Sequence, residues 1–301
     1  MPVNSSAEWP ALMRPAAAVT GLALLWLLES QTPTASRPLA LHNTSRLRHA
    51  ARNYGLAVIS GLTVLWAAGG LVVTTTEFAE RHRIGLLRIL PLHPVAGTAL
   101  AILLLDLWTW AWHLACHRIP ALWRFHQVHH SDSAMDVSSS ARFHPGELAC
   151  STAARIPVLL LLGVSTSQLL LFETLLLAVS QVHHSAITSR HLDHWLGWLL
   201  VTPGIHRVHH SRQRSETNSN YAAILSAWDR LFGTRSPHTR KPTDPPGLTG
   251  MDADHFQTLL GLLKTPLLSP RDSQKHPASD PQTSALHQPS PENQTGPASE
   301  P

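Results

Sequence analysis

The chain has 301 residues, 44% of them hydrophobic and 14% charged, with a formal charge of +4. That length suits one large domain or two small ones. Two cysteines are too few for a disulfide framework or a cysteine-rich zinc site, and the positive charge forms no basic stripe interleaved with aromatics, which speaks for membrane topology and against nucleic acid.

The mean hydropathy of −0.02 looks soluble, but a polar C-terminal region dilutes several long apolar runs. Residues 15–30 carry little positive charge ahead of them, so they read as a short retained membrane helix rather than a signal core. Residues 31–53 are polar, with Arg46, Arg48 and Arg52 just before an apolar stretch at 54–75 that is long enough to cross a bilayer. Pro91 and Pro94 punctuate the next connection, and residues 95–117 form another span. After a histidine-rich segment at 118–145, the apolar runs 147–163 and 166–182 are split by Gly163-Val-Ser-Thr-Ser and read as a tilted hairpin. From residue 236 Pro, Ser, Gln and Asn take over, except for an apolar stretch at 256–268, and 269–301 look disordered. The expected fold is an all-α integral membrane bundle of about four to five spans with a histidine-rich helical cap at one membrane face. Its expected divisions are 1–53, an N-terminal membrane helix and linker; 54–235, a membrane-embedded catalytic domain; and 236–301, a polar, largely disordered tail.

Three histidine clusters carry the chemistry: His113 and His117; His126, His129 and His130; His206, His209 and His210. Residues three and four apart share a helix face, so each cluster can point its imidazoles at one spot. Packing alone does not explain eight such groups beside apolar helices, because an unpaired buried polar group costs roughly 2–7 kcal/mol. Imidazole suits iron, zinc, copper or nickel. The ligands outnumber one zinc site and match two metals, which in apolar surroundings points to a membrane-bound oxidative enzyme. One of His183 and His184 is a further ligand candidate, and His144, before Pro145 and with Glu147 close behind, is a ligand, a helix cap or part of a supporting pair. Metal-bound imidazoles pass their outer N–H to a carboxylate or carbonyl, for which Asp106, Asp132 and Asp229 are candidates. Cys116 should point about 100° away from His117 as a small apolar filler. His276 and His287 lack ligand spacing.

Two hairpin crossings return the chain to the side it left, so all clusters can meet at one face. Arg118, Arg124, Arg207, Arg212 and Arg214 put that face in the cytoplasm, and five crossings would leave the N-terminus outside. The chain carries no H-E-x-x-H, no G-x-S-x-G and no Gly-rich phosphate loop. It has no flavin or haem fingerprint either, so electrons must come from a separate redox partner. A non-catalytic metal-binding protein or transporter, or a metal-dependent lipid hydrolase, is the competing reading. Transporters, however, place ligands near the midplane of spans, whereas here they sit at span ends and in loops.

Several motifs together resemble the fatty acid hydroxylase/sterol desaturase superfamily. They are Leu105-Asp-Leu-Trp-Thr-Trp-Ala-Trp-His-Leu-Ala-Cys-His-Arg118, Leu122-Trp-Arg-Phe-His-Gln-Val-His-His-Ser-Asp132, Arg142-Phe-His-Pro-Gly-Glu147, Thr202-Pro-Gly-Ile-His-Arg-Val-His-His-Ser211, Glu216-Thr-Asn-Ser-Asn-Tyr221 and Trp228-Asp-Arg-Leu-Phe-Gly-Thr234. The resemblance covers roughly residues 55–235. It implies a histidine-bound di-iron centre that uses O₂ and external electrons, from a ferredoxin, cytochrome or reductase, to hydroxylate or desaturate a fatty acyl, sterol or other isoprenoid lipid. Zinc can replace iron in purified protein. The implied ligands are His113, His117, His126, His129, His130, His184, His206, His209 and His210, with His144, His183, Asp106 and Asp132 as candidates for ligation or support. Many relatives carry Asn where this chain has Ala186.

Overall fold

A computed structural model describes residues 8–31, 46–187, 189–237 and 245–267. Helix α1 spans Glu8–Gln31; α2, Arg46–Val64, passes through one π-helical turn at Leu65–Gly69 into α3, Gly70–Arg81. The short α4, Leu86–Ile89, precedes the long α5, Pro94–Arg118, and α6, Pro120–His130. Then come α7, Pro145–Leu162, and α8, Thr166–His184. Among the described residues there is no strand, and two isolated bridges join Leu200 to Leu225 and Ser211 to Pro246.

Local signals set the ends of these helices. Pro94, Pro120 and Pro145 each open a helix, where a missing N–H costs nothing. Ser165 and Gln168 form a capping box at the start of α8. Gly163 ends α7 in the left-handed conformation, φ 69°, and packs against Gly85, φ 103°. A Cβ on Gly85 would lie 2.2 Å from the Gly163 nitrogen, so this crossing requires glycine.

The contacts fix the directions. At one end Glu29 of α1 accepts from the backbone N–H of Val137 and Ala186, and Arg46 of α2 pairs with Asp136 at 3.2 Å. At the other end the hydroxyls of Thr76 and Thr166 meet at 2.7 Å, and Arg88 donates to the Gly163 carbonyl at 2.8 Å. The long segments therefore alternate in direction: α1 up, α2–α3 down, α5 up, α7 down and α8 up. Every histidine cluster lies at the upper end.

The sequence-expected apolar segments all become helix. Among the described residues, three stretches could by length and composition cross a membrane: Arg46–Ile89, Pro94–Arg118 and Pro145–Leu162. The first is longer than the apolar run at 54–75, because its opening turns carry His49 and Asn53 into the polar upper layer. Large apolar side chains face outward along it, including Leu65 and Trp66, the latter 91% exposed. In a bilayer that face meets lipid. Inside, Leu105, Leu159, Val164, Leu169 and Phe172 form the core between α5, α7 and α8.

The upper layer is built from short pieces: α9, Arg190–Trp195; α10, Pro203–His209; α11, Arg214–Thr217; and α12, Ala227–Leu231. A last helix, α13, Leu259–Lys264, forms from the apolar run within the polar C-terminal region. Leu262 is fully buried with Leu56 and Val128, and Gln257 bridges the Ser131 carbonyl and the Arg142 guanidinium. The apolar run at 256–268 supplies enough buried surface to join 245–267 to the folded body. The expectation of disorder at 269–301, with His276 and His287, lies outside the described residues.

Candidate metal centre

Ile119 alone separates α5 from α6, so the chain turns sharply and sets the face of His113 and His117 against that of His126 and His130. α10, opened by Pro203, brings a third set from above. The result is two groups. His113, His117, His126, His130 and His209 form one, and His129, His184, His206 and His210 form the other. Within each group the ligand-capable atoms lie within 4.8 Å of one another.

Each H-x-x-H-H motif is divided between the groups, which differs from the expectation that a cluster aims at one spot. His126 and His130, four apart, share a group, while His129 turns to the other. In α10 the division is mirrored: His206 and His210 stay together and His209 crosses. Adjacent residues differ by about 100° on a helix, so a motif with two neighbouring histidines reaches both groups.

Hydrogen bonds fix the tautomers. His113 Nδ1 lies 2.8 Å from the Tyr221 carbonyl, His209 Nδ1 2.6 Å from that of Ser219, and His184 Nδ1 2.8 Å from that of Ser180. His126 Nδ1 lies 2.7 Å from Glu147 Oε1, and His129 Nδ1 3.3 Å from the Arg142 carbonyl. Carbonyls and carboxylates only accept, so each Nδ1 carries the proton, and a ring in the neutral form then presents Nε2 as a bare lone pair. These lone pairs face one another. His113 Nε2 lies 3.0 Å from His209 Nε2 and 3.1 Å from His126 Nε2, and His184 Nε2 lies 3.1 Å from His129 Nε2. With no proton between them such pairs repel, and a shared cation removes the conflict. His117 Nε2 and His130 Nε2 are buried there without a partner among the described residues. The donor set fits metal ions.

Burial first, and then the neighbouring imidazoles, hold His129, His130, His206, His209 and His210 well below the ordinary histidine value. They are neutral at physiological pH, the form a metal requires.

The other candidates take different places. His183 is buried, with its ring 4.1 Å from that of His206, but belongs to neither group. His144 caps α7: its Nδ1 accepts from the Gly146 N–H, its Nε2 meets the Leu263 carbonyl, and its ring stacks on Phe125. Asp106 accepts from the N–H groups of Ile224 and Leu225 and from the Trp228 indole. Asp229 does the same for Tyr221 and Ala222. The two carboxylates thus pin the loop whose Tyr221 carbonyl orients His113. Asp132 accepts from His49 and Ser139. Burial would push its carboxyl up, yet His49 and Arg142 beside it hold it well below the usual range. Cys116 is buried, and its sulfur lies within 4.8 Å of ligand-capable atoms of His126 and Glu147.

His49 and Asn218, whose Oδ1 lies 3.3 Å from His117 Nδ1, are supports that sequence reasoning does not single out. Glu147 is legible in the sequence only as a companion of His144, and it turns to His126 instead.

A cavity of about 280 Å³ reaches both groups. It is lined by His113, His126, His129, His184 and His206, with apolar side chains including Trp112, Phe143, Leu148, Leu176 and Leu177.

Residues 98–234 match the model of the family described as fatty acid hydroxylase. The chain is 32% identical over 144 residues to ornithine lipid hydroxylase OlsE of Rhizobium tropici, covering 48% of this chain and 43% of the relative. It is 33% identical to alkylglycerol monooxygenase of Danio rerio, over 47% of this chain and 31% of the relative. To cholesterol 25-hydroxylase of Rattus norvegicus it is 29% identical, over 47% of this chain and 48% of the relative. The chain therefore spans about half the length, or less, of these relatives. No solved structure matches. Residues 98–234 thus resemble the fatty acid hydroxylase family, and they sit among helices long and apolar enough to cross a membrane.

Proposed function

We propose that the protein is an O₂-dependent di-iron lipid hydroxylase. The observation that carries this is the pair of histidine groups whose unprotonated Nε2 atoms face one another at the head of an apolar cavity. His113, His117, His126, His130 and His209 would hold one iron, and His129, His184, His206 and His210 the other. Bound iron supplies the oxidising power that an unactivated C–H bond demands and that acid–base chemistry lacks. One oxygen atom of O₂ enters the substrate as a hydroxyl. The other leaves as water, with two electrons from a separate donor and two protons.

The chain's own residues do the rest. The carbonyls of Tyr221, Ser219, Ser180 and Arg142 hold the imidazoles in the ligating tautomer, and Glu147 orients His126 and raises its basicity. The apolar walls keep water from the reacting carbon and hold a lipid chain lengthwise below the histidines.

The relatives named above act on an ornithine lipid, an alkylglycerol and cholesterol, which favours hydroxylation over desaturation and a lipid over a soluble substrate. The arginines around the histidine layer favour a cytoplasmic face, where a ferredoxin, cytochrome or reductase can deliver electrons. The test is O₂ uptake by the iron-loaded protein in membranes with a reductant and lipid extract, with products followed by mass spectrometry. A hydroxylated lipid carrying ¹⁸O from ¹⁸O₂ is expected. Metal-dependent lipid turnover without O₂ would point to a hydrolase.

A further inference from the structure

The cavity has a second pole. Arg155 of α7 and Glu173 of α8 form an ion pair at 2.8 Å within the apolar bundle, and both line the cavity. A charge pair between membrane helices is costly and marks function more often than glue. Were this one only a lock between α7 and α8, close packing would cover it. Instead about a fifth of each side chain, 20% and 19%, is open. Ser151, one turn above Arg155, lines the same wall.

The helices measure the distance between the poles. Arg155 stands eight residues below Glu147, the partner of His126, which is about 12 Å along α7. Glu173 stands eleven residues below His184, or about 16 Å along α8. We propose that Arg155 and Glu173 together bind a neutral hydroxyl group of the substrate, whose oxidised carbon lies about 12–16 Å away. This rests on the reading of the cavity as the lipid site of an oxygenase.

The chemistry of the pair selects the group. The guanidinium offers N–H donors and the carboxylate an acceptor, and a hydroxyl uses both at once. A fatty carboxylate or a phosphate would face Glu173, and an ammonium would face Arg155, each leaving a like charge opposed in an apolar site. The cavity's volume of about 280 Å³ is at the low end for ligand pockets, which suits one slender chain or ring system. The substrate class is a lipid alcohol with a single chain or fused-ring body.

The test uses the full chain in nanodiscs, with tritiated hexadecanol as probe and hexadecanol, hexadecanoate and hexadecane as competitors. Metal content is measured on the same samples. Hexadecanol is expected to compete about tenfold better than either of the others, the size of one hydrogen bond to a charged group. The variant R155M/E173L, which removes both charges together, is expected to keep its metal and bind alcohol and alkane alike. The variant E173Q, which leaves the arginine uncompensated, is expected to gain affinity for hexadecanoate, a gain that misfolding cannot produce. Equal competition by alcohol and alkane in the native protein would overturn the proposal. So would alcohol preference persisting in metal-bearing R155M/E173L, or no gain for hexadecanoate in E173Q. A native protein that lacks metal yet prefers alcohol would instead sink the oxygenase reading and leave the hydroxyl site standing.

Discussion

Glu147→Gln is the most discriminating substitution at the centre. The carboxylate sits 2.7 Å from His126 Nδ1, and both side chains are almost wholly buried. Glutamine keeps the shape, so the packing of α7 is preserved. What is lost is a charge-assisted hydrogen bond that fixes the His126 tautomer and makes its Nε2 a better donor. Replacing such a partner typically costs 10–100-fold in metal affinity, or about 1.4–2.8 kcal/mol. Because His126 belongs to the five-histidine group and not to the four-histidine group, the loss should fall on one metal. The assay is a chelator titration of purified protein with metal counted by elemental analysis. Two metals leaving together at low chelator in E147Q, or neither leaving earlier than in the native protein, would refute the division into groups.

Other expectations follow from the same geometry. His209→Ala and His129→Ala should each abolish product formation while membrane-fraction abundance stays near normal, since each removes one imidazole from a different group and leaves the spanning helices intact. Near-native turnover in either would contradict the site. His144→Ala should keep both metals and lose only about 1 kcal/mol of stability with the α7 cap, read as a small fall in melting temperature. A lost metal would make His144 a ligand. Single cysteines at Ser133 and Ser215 should be labelled from the same side of the membrane, because their neighbouring histidines converge. Labelling from opposite sides would exclude a shared centre.

Much of the centre could be read from the sequence because ligand spacing on helices is local. H-x-x-x-H and H-x-x-H-H define helix faces, and the apolar hairpin between the clusters requires their return to one side. The pairing of faces could not be read. It depends on the single-residue turn at Ile119, which sets α6 against α5, and on α10 arriving from above. The division of each H-x-x-H-H follows from the 100° step between neighbouring residues, but which neighbour serves which centre depends on those tertiary angles. Four of the groups that orient imidazoles are backbone carbonyls, of Tyr221, Ser219, Ser180 and Arg142. Every residue has a carbonyl, so no sequence signal marks them. Asp106 was visible as a carboxylate two turns before His113, but a helical-face argument could not show that it grips the 224–228 loop instead of an imidazole. The apolar run at 256–268 was visible too, yet only its fit against Leu56 and Val128 shows that it belongs to the folded body.

The central claim is that two metals sit between histidines, five of which already donate an Nδ1–H hydrogen bond to a carbonyl or carboxylate. The most direct measurement is elemental analysis of protein produced with iron available, combined with X-ray absorption at the metal edge. Two metals per chain with imidazole nitrogens at about 2.0–2.2 Å are the expected result, with zinc replacing iron where it is in excess. Folded protein with no bound metal, or with one metal and a single histidine shell, would contradict it.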